Sequence, residues 1–299
     1  SYEETFNVEV EDHFTVLDSL MKVRDEVDES LALRCSCRAS ICGSCAMRVN
    51  GQARLACKTR LTSVMDKEAT VCVEPAGNMP VVKDLVVDMK PFWNKIHEIQ
   101  PWVQPKGPEP EHEYIVPNEA MQHLTGVMGC IMCGACVSDC TVLEVKDNFL
   151  GPAALAKSYR FIADPRDGSQ LERLQDLEKD GGIWDCTRCM QCVEVCPKDV
   201  DPMERIMSIR SKSMENKIDN NYGARHAKSF SDLIKSNGIL NEVLLLLKTK
   251  GLFNIIELVK ILPIAIGAQL AGKRPPFFSH SSKNKNEIKK IFKKLEDKE

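Results

Sequence analysis

At 299 residues the chain is long enough for two hydrophobic cores and an appended segment. Its 43% hydrophobic and 28% charged residues are ordinary for a soluble globular protein. A formal net charge of −3 argues against nucleic acid as a partner, because a phosphate-binding surface needs a concentrated basic stripe. Fourteen cysteines are the anomaly. Disulfide scaffolds are short and secreted, whereas these cysteines stand two or three residues apart in a long chain, a pattern of thiols that share metal. No charged leader followed by an apolar run opens the sequence at Ser1, so no signal peptide is expected.

Phe6, Val8 and Val10 alternate with polar residues and predict a half-buried strand. Thr15-Val16-Leu17-Asp18 reads as a capping box opening a helix through about Asp28. Next come Cys37, Cys42 and Cys45, with Cys57 twelve positions later. C-x4-C-x2-C followed by a distant cysteine is the plant-type [2Fe–2S] spacing. The small residues Ala39, Ser40, Gly43 and Ser44 let backbone N–H groups approach the sulfurs and stabilise an anionic cluster. Ala46 to Val49, Asn50-Gly51 and Arg54 to Ala56 predict a tight hairpin that returns Cys57 to the loop. Cys35 and Cys72 fall outside this spacing and read as buried free thiols, Cys72 within a strand-like segment.

Six prolines between Pro91 and Pro117 predict a linker, with Trp93 and Trp102 as candidate anchors on a protein surface. One spacing then appears twice. Cys130, Cys133, Cys136 and Cys140 read C-x2-C-x2-C-x3-C, and Cys186, Cys189, Cys192 and Cys196 repeat it, followed by Pro197. In this bacterial-ferredoxin run the fourth cysteine ligates the other cluster. The expected sites are therefore Cys130, Cys133, Cys136 and Cys196 for one [4Fe–4S] cluster and Cys140, Cys186, Cys189 and Cys192 for a second. Residues 152–163 have strong helix propensity, with Pro152 suited to a first turn. Leu171, Leu174 and Leu177 recur at helical spacing before a stop at Gly181-Gly182, and Met203, Ile206, Met207 and Ile209 predict a further helix.

Beyond about Gly223 the chain changes character. Leu244 to Leu247 and Ile261 to Leu270 are largely apolar, but Lys248, Lys250, Glu257 and Lys260 interrupt them. The longest clean run, Ile261 to Ala268, is far short of the roughly 20 residues that span a bilayer. Amphipathic helices that dock on a partner or on the chain itself are expected. The lysine-rich end, Lys283 to Lys298, carries enough acidic residues to read as a solvated helix, with anionic lipid as the other reading.

In this order the segments resemble the iron–sulfur subunit of succinate dehydrogenase and fumarate reductase. The stretches that carry the resemblance are 37–45, Asn50-Gly51, Leu55-Ala56-Cys57, Gly151-Pro152-Ala153-Ala154, Arg160-Phe161, Asp164-Pro165-Arg166-Asp167 and Cys196-Pro197-Lys198, within residues 1–212. The resemblance implies an α+β chain: a plant-type ferredoxin (β-grasp) domain over 1–90, a proline-rich linker over 91–118, an all-α bacterial-ferredoxin-like two-cubane domain over 119–222 and a helical docking tail over 223–299. It implies a wire from an FAD flavoprotein subunit, where succinate and fumarate are handled, through the three clusters towards a quinone. Nothing in the chain resembles a Gly-rich nucleotide fold, so FAD belongs to the partner.

Three departures from the family pattern stand out. Cys189 fills a position where the family commonly has no cysteine and a [3Fe–4S] centre, so a second [4Fe–4S] cluster is expected, with [3Fe–4S] as its alternative form. Thr187 replaces a histidine frequent in quinone-reducing members, and Thr141-Val142-Leu143-Glu144-Val145 replaces a tryptophan pair. Residues 223–230 and 238–242 are similar to the end of the heterodisulfide-reductase small iron–sulfur subunit. They imply a membrane-associated cysteine-rich (CCG-type) partner that reaches quinone indirectly, and a peripheral position on the cytoplasmic face of the membrane, with the periplasmic face as the alternative. A subunit of a thiol-dependent (heterodisulfide-type) fumarate reductase and a free-standing ferredoxin-like carrier are the competing functions. Twelve cysteines in three registered sets exclude zinc pairs as the simpler account, and no histidine lies inside a run to make a Rieske centre.

Overall fold

The computed structural model describes residues 3–251, 255–273 and 281–296. The predicted tail therefore includes 252–254, 274–280 and 297–299, and the predicted first domain residues 1–2, which lie outside the described residues. The chain divides into two compact units, residues 1–216 and 217–299. The first is mixed α/β, with a small sheet near its N-terminus and helices after it; the second is helical.

Helix α1 (Val16–Glu26) starts at the expected capping box: Thr15 Oγ1 accepts from Asp18 N–H, and Asp18 accepts from Thr15 N–H at 2.9 Å. Strands β1 (Ala46–Val49) and β2 (Gln52–Leu55) form the predicted hairpin, with Asn50 and Gly51 at φ 51° and 76°. Both residues of this two-residue turn are left-handed, which matches the twist of the strands. Strand β3 (Val73–Glu74) pairs with the other edge of β1. A core of Val16, Leu17, Met47, Val49 and Leu55 joins α1 to this sheet. Strands β4 (Val81–Lys83) and β5 (Val86–Val87) make a separate ribbon.

Two expectations fail here. Residues 6–10 enter no ladder: Phe6 and Val8 are half-buried and Val10 is exposed. Both edges of β1 are already taken and its neighbours are only four and two residues long, so no long edge is left to extend. Cys72 precedes β3 and is exposed, held by paired backbone and side-chain hydrogen bonds with Asn50 rather than by burial. Cys35 is half-buried, its thiol 3.7 Å from the Met21 sulfur.

The proline-rich stretch begins as a helix, α2 (Lys90–Glu98), because Pro91 occupies a first-turn position where a missing N–H costs nothing. Within the chain α2 is anchored by the buried Phe92 and Ile96; Trp93 and Trp102, the candidate anchors on a protein surface, are both exposed. Helices α3 (Asn118–Met128), α4 (Ala135–Ser138), α5 (Gly151–Ile162), α6 (Gln170–Leu177), α7 (Gln191–Glu194) and α8 (Pro202–Glu215) follow. α5 is buried along nearly its whole length and packs on α2, α3, α4, α6 and α8. Leu174 and Leu177 of α6 face this core, while Leu171 points to solvent. α6 ends at Glu178, and Gly181-Gly182 form the turn beyond it; a Cβ at Gly181 would stand 2.3 Å from the Asn148 carbonyl oxygen.

A buried ion pair fastens the remainder of the predicted linker. Arg173 binds Asp167 at 3.0 Å, and the same guanidinium donates to the carbonyls of Ile99, Gln100 and Trp102.

The second unit contains α9 (Tyr222–Asn237), α10 (Glu242–Lys250), α11 (Ile255–Leu270) and α12 (Lys285–Glu296). Asn221 and Asn241 cap the first two, each accepting from a backbone N–H three residues on. α9 packs on both α10 and α12, and Ser282 N–H donates to the Asn237 carbonyl. No helix among the described residues is long and apolar enough to cross a membrane.

Candidate metal centres

The loop 37–45 wraps backbone N–H groups around sulfur. Ala39, Ile41 and Cys42 N–H each reach Cys37 Sγ at 3.3 Å, and Ser40 N–H reaches Cys57 Sγ at 3.3 Å. Arg38 and Ser40 adopt left-handed φ values of 53° and 58° to aim these groups inward. Such nests of amides stabilise an anionic group. The Ser44 hydroxyl, with the Cys37 and Ser44 backbone, pulls the Cys42 thiol down to about 6. Burial pushes Cys45 up to about 12, with the neighbouring charges of Cys57 and Cys42 adding to it. These four thiols are electrostatic neighbours.

The two later runs repeat one backbone. Two residues after its first cysteine each run turns left-handed, at Met132 (φ 56°) and Arg188 (φ 60°), and again at Gly134 (φ 80°) and Met190 (φ 69°). Each then enters a one-turn helix, α4 or α7, that carries its third cysteine. The fourth cysteine of each run crosses to the other set. Cys133 has Cys130 and Cys196 as charge neighbours; Cys192 has Cys186, Cys140 and Cys189. Burial pushes Cys133 up to about 11 and Cys192 up to about 12, and raises Cys136 and Cys140 as well. Cys140, Cys186, Cys189 and Cys192 all line one small, partly open hollow.

Cys189 is the exposed member of that set. Burial opposes its ionisation, but hydrogen bonds from Thr141, the Gln191 backbone and Thr187 outweigh it and lower its pKa. The Thr141 hydroxyl is 3.5 Å from the sulfur. Arg210, buried in α8, donates to the carbonyls of Ile183 and Cys186 and lies over the Trp184 ring, which fixes the entry to the second run.

The second set neighbours both of the others. A Cβ on Gly43 would lie 2.8 Å from Cys133 Cβ, so the first loop touches the second set directly. Cys136 in turn feels the charge of Cys192, which ties the second set to the third. Polar contacts fix this arrangement. Buried Asp139 accepts from Ala53 N–H of β2 at 2.7 Å and pairs with Arg48 of β1. Gly77 N–H donates to Ser138 Oγ, and the Asn78 amide donates to the carbonyls of Val137, Ser138 and Cys140. Spacing alone does not reveal Asp139, Asn78, Thr141 or Arg210, since each acts through a contact distant in sequence.

Among the described residues no group of three His, Cys, Asp or Glu side chains is arranged to hold a single metal ion. Iron–sulfur clusters are polynuclear and held by cysteine thiolates, which is the donor set that converges here. Buried neighbouring thiols that resist ionisation are those a cationic ligand would deprotonate. The residues present therefore fit iron–sulfur clusters.

Residues 1–94 match the 2Fe-2S iron-sulfur cluster binding domain family and residues 126–200 the 4Fe-4S dicluster domain family. The 8-methylmenaquinol:fumarate reductase iron-sulfur subunit of Wolinella succinogenes is 30% identical over 98% of this chain and 93% of its own length. The succinate dehydrogenase iron-sulfur subunit of Paracoccus denitrificans is 39% identical over 65% of this chain and 74% of its own. A chain of the Mycobacterium smegmatis Sdh1 complex in the apo form superposes with a TM-score of 0.66 at 29% identity, covering 72% of this chain and 90% of that one. On its matched domains and a relative aligned over nearly its whole length, this chain belongs to the iron–sulfur subunits of the succinate dehydrogenase/fumarate reductase family.

Proposed function

We propose that the chain carries electrons between an FAD flavoprotein subunit and a membrane-associated subunit of a complex that interconverts succinate and fumarate. The observation that carries this reading is the sorting of twelve thiols into three neighbouring sets, with Cys140 and Cys196 exchanged between the two repeated runs. Cys37, Cys42, Cys45 and Cys57 hold a [2Fe–2S] cluster in a β-grasp domain of plant-type ferredoxin form. Cys130, Cys133, Cys136 and Cys196 hold a [4Fe–4S] cluster in a bacterial-ferredoxin-like helical domain. Cys140, Cys186, Cys189 and Cys192 hold a second [4Fe–4S] cluster. Bound there, such clusters pass one electron at a time and so connect two-electron chemistry at either end.

The chain's own groups orient and tune these sites. Amides 39–42 point at Cys37 and Cys57, and Thr141 and Thr187 hold the outermost thiolate, Cys189. The exposed third set is the side from which electrons leave or enter. Absence of the usual histidine and tryptophan pair, together with an alignment to the Wolinella relative that runs through the tail, supports a CCG-type cysteine-rich partner that reaches quinone indirectly. The complex sits peripherally on the cytoplasmic face of the membrane.

Electron paramagnetic resonance of the purified protein, oxidised and reduced, with an iron count, tests the assignment. About ten irons per chain without an oxidised three-iron signal is the expected result. A strong three-iron signal at about nine irons, after oxidative damage is excluded, would remove Cys189 from the ligands.

A further inference from the structure

The two compact units carry opposite charge. Residues 217–299 contain 16 Lys and Arg against 8 Asp and Glu, a formal charge of +8. The net −3 of the whole chain leaves −11 on residues 1–216. Such asymmetry between parts of one chain marks a segment that meets a polyanionic surface.

Helix α11 supplies the second half of the argument. Between Lys260 and Lys273 the sequence carries no charge. Val259, Leu262, Ile266 and Leu270 recur at spacings of three, four and four, so they share one face, and all are exposed, Leu270 at 84%. Pro263 and Gly267 on the same side are exposed too. A helix this apolar is normally covered. Its 16 residues rise about 24 Å, short of the about 30 Å hydrocarbon core, so it suits lying in the interface and not crossing it.

α12 adds Lys285, Lys289, Lys290, Lys293 and Lys294 beside a second apolar row, of which Ile291 and Leu295 are exposed. Its Ile288 packs at Gly238, where α9 ends. Protein-binding patches are enriched in aromatics and arginine; the α11 stripe is purely aliphatic, and the unit's basic residues are nearly all lysine.

We propose that the second unit binds the surface of an anionic bilayer, with the α11 stripe seated among the acyl chains and the lysines against the headgroups. The chain would then contribute its own membrane contact besides any supplied by a partner. This rests on the reading of a membrane-associated complex.

Co-sedimentation of the cluster-loaded full chain with vesicles tests it. Binding to vesicles containing phosphatidylglycerol, weak binding to phosphatidylcholine alone, and loosening by salt are expected. Leu262→Glu with Ile266→Glu should weaken partitioning by about tenfold or more, with helix content and cluster signals unchanged. Leu270→Trp should be quenched by brominated acyl chains. Unchanged binding of the double variant, or an unquenched tryptophan on bound protein, overturns the proposal. So does failure to bind either vesicle, which would assign the stripe to a protein partner. Electron transfer from the flavoprotein to a soluble dye should be the same in all variants, so its loss would count against the functional reading and not against lipid binding.

Discussion

The two cysteine runs trace the same turn and face different surroundings. Loop 130–134 is half-buried to buried throughout, set against the hairpin and the first cysteine loop. Loop 186–190 is exposed from Thr187 to Met190. Where the first run places Gly134 at a left-handed position, the second places Met190; where the first has buried Asp139 before its last cysteine, the second has Val195. A repeated backbone is thus enclosed in one copy and faces outward in the other. The side chains, not the spacing, decide which is which.

The strongest way to break this comparison is to remove equivalent cysteines. Cys133→Ser should cost the enclosed site its cluster and lower the melting temperature of the whole first unit. Cys189→Ser should lose only one iron and convert the exposed site towards a three-iron form, measured by iron content and paramagnetic resonance. Equal damage from both would mean that enclosure makes no difference.

Next in size is Gly43→Ala. At φ +74° and with its new Cβ against Cys133, it should destabilise the first unit by about 3 kcal/mol in denaturant unfolding. Asp139→Ala strips an acceptor from the buried Ala53 N–H and should cost about 2 kcal/mol, whereas Val195→Ala keeps that hydrogen bond, trims only apolar packing on Ala53 and should cost about 1 kcal/mol. Thr141→Val should shift the midpoint potential of the exposed site to more negative values while Thr141→Ser does not, since hydrogen bonds to sulfur stabilise the reduced cluster. The smallest effect expected is a gain: Met190→Gly relieves a left-handed side-chain residue and should stabilise by at most about 1 kcal/mol.

The capping box at Thr15, the Asn50-Gly51 turn and the helices holding Leu174 and Ile206 were legible in the sequence, because each rests on contacts within a few residues or on a regular period. The strand over 6–10 was misread because alternation describes a side-chain preference and says nothing about whether a free edge exists. Helix α2 was hidden by its one proline, counted as a breaker although Pro91 sits where proline starts a helix. Phe92 and Ile96 hold α2 to the chain, while Trp93 and Trp102 stay exposed, so their expected anchoring on a protein surface is not met within the chain itself. At the sites, spacing proposes which cysteines are grouped, but the pairing of Thr141 with Cys189 and of Asp139 with Ala53 bridges 48 and 86 residues, beyond any local pattern.

Asn78 has a consequence for how the protein is made. The two N–H groups of one side-chain amide are shared among three carbonyls at the end of the first run, and Gly77 lies so close to Ser138 that a Cβ there would sit 2.6 Å from its carbonyl oxygen. The loop that presents Cys140 is thus finished by a segment synthesised some sixty residues earlier. The Cys140 loop is therefore complete only when residues 77 and 78 have docked on it, so a fragment lacking residues 1–94 should take up iron poorly at the Cys140 set, whereas residues 1–94 carry all four thiols of the first set.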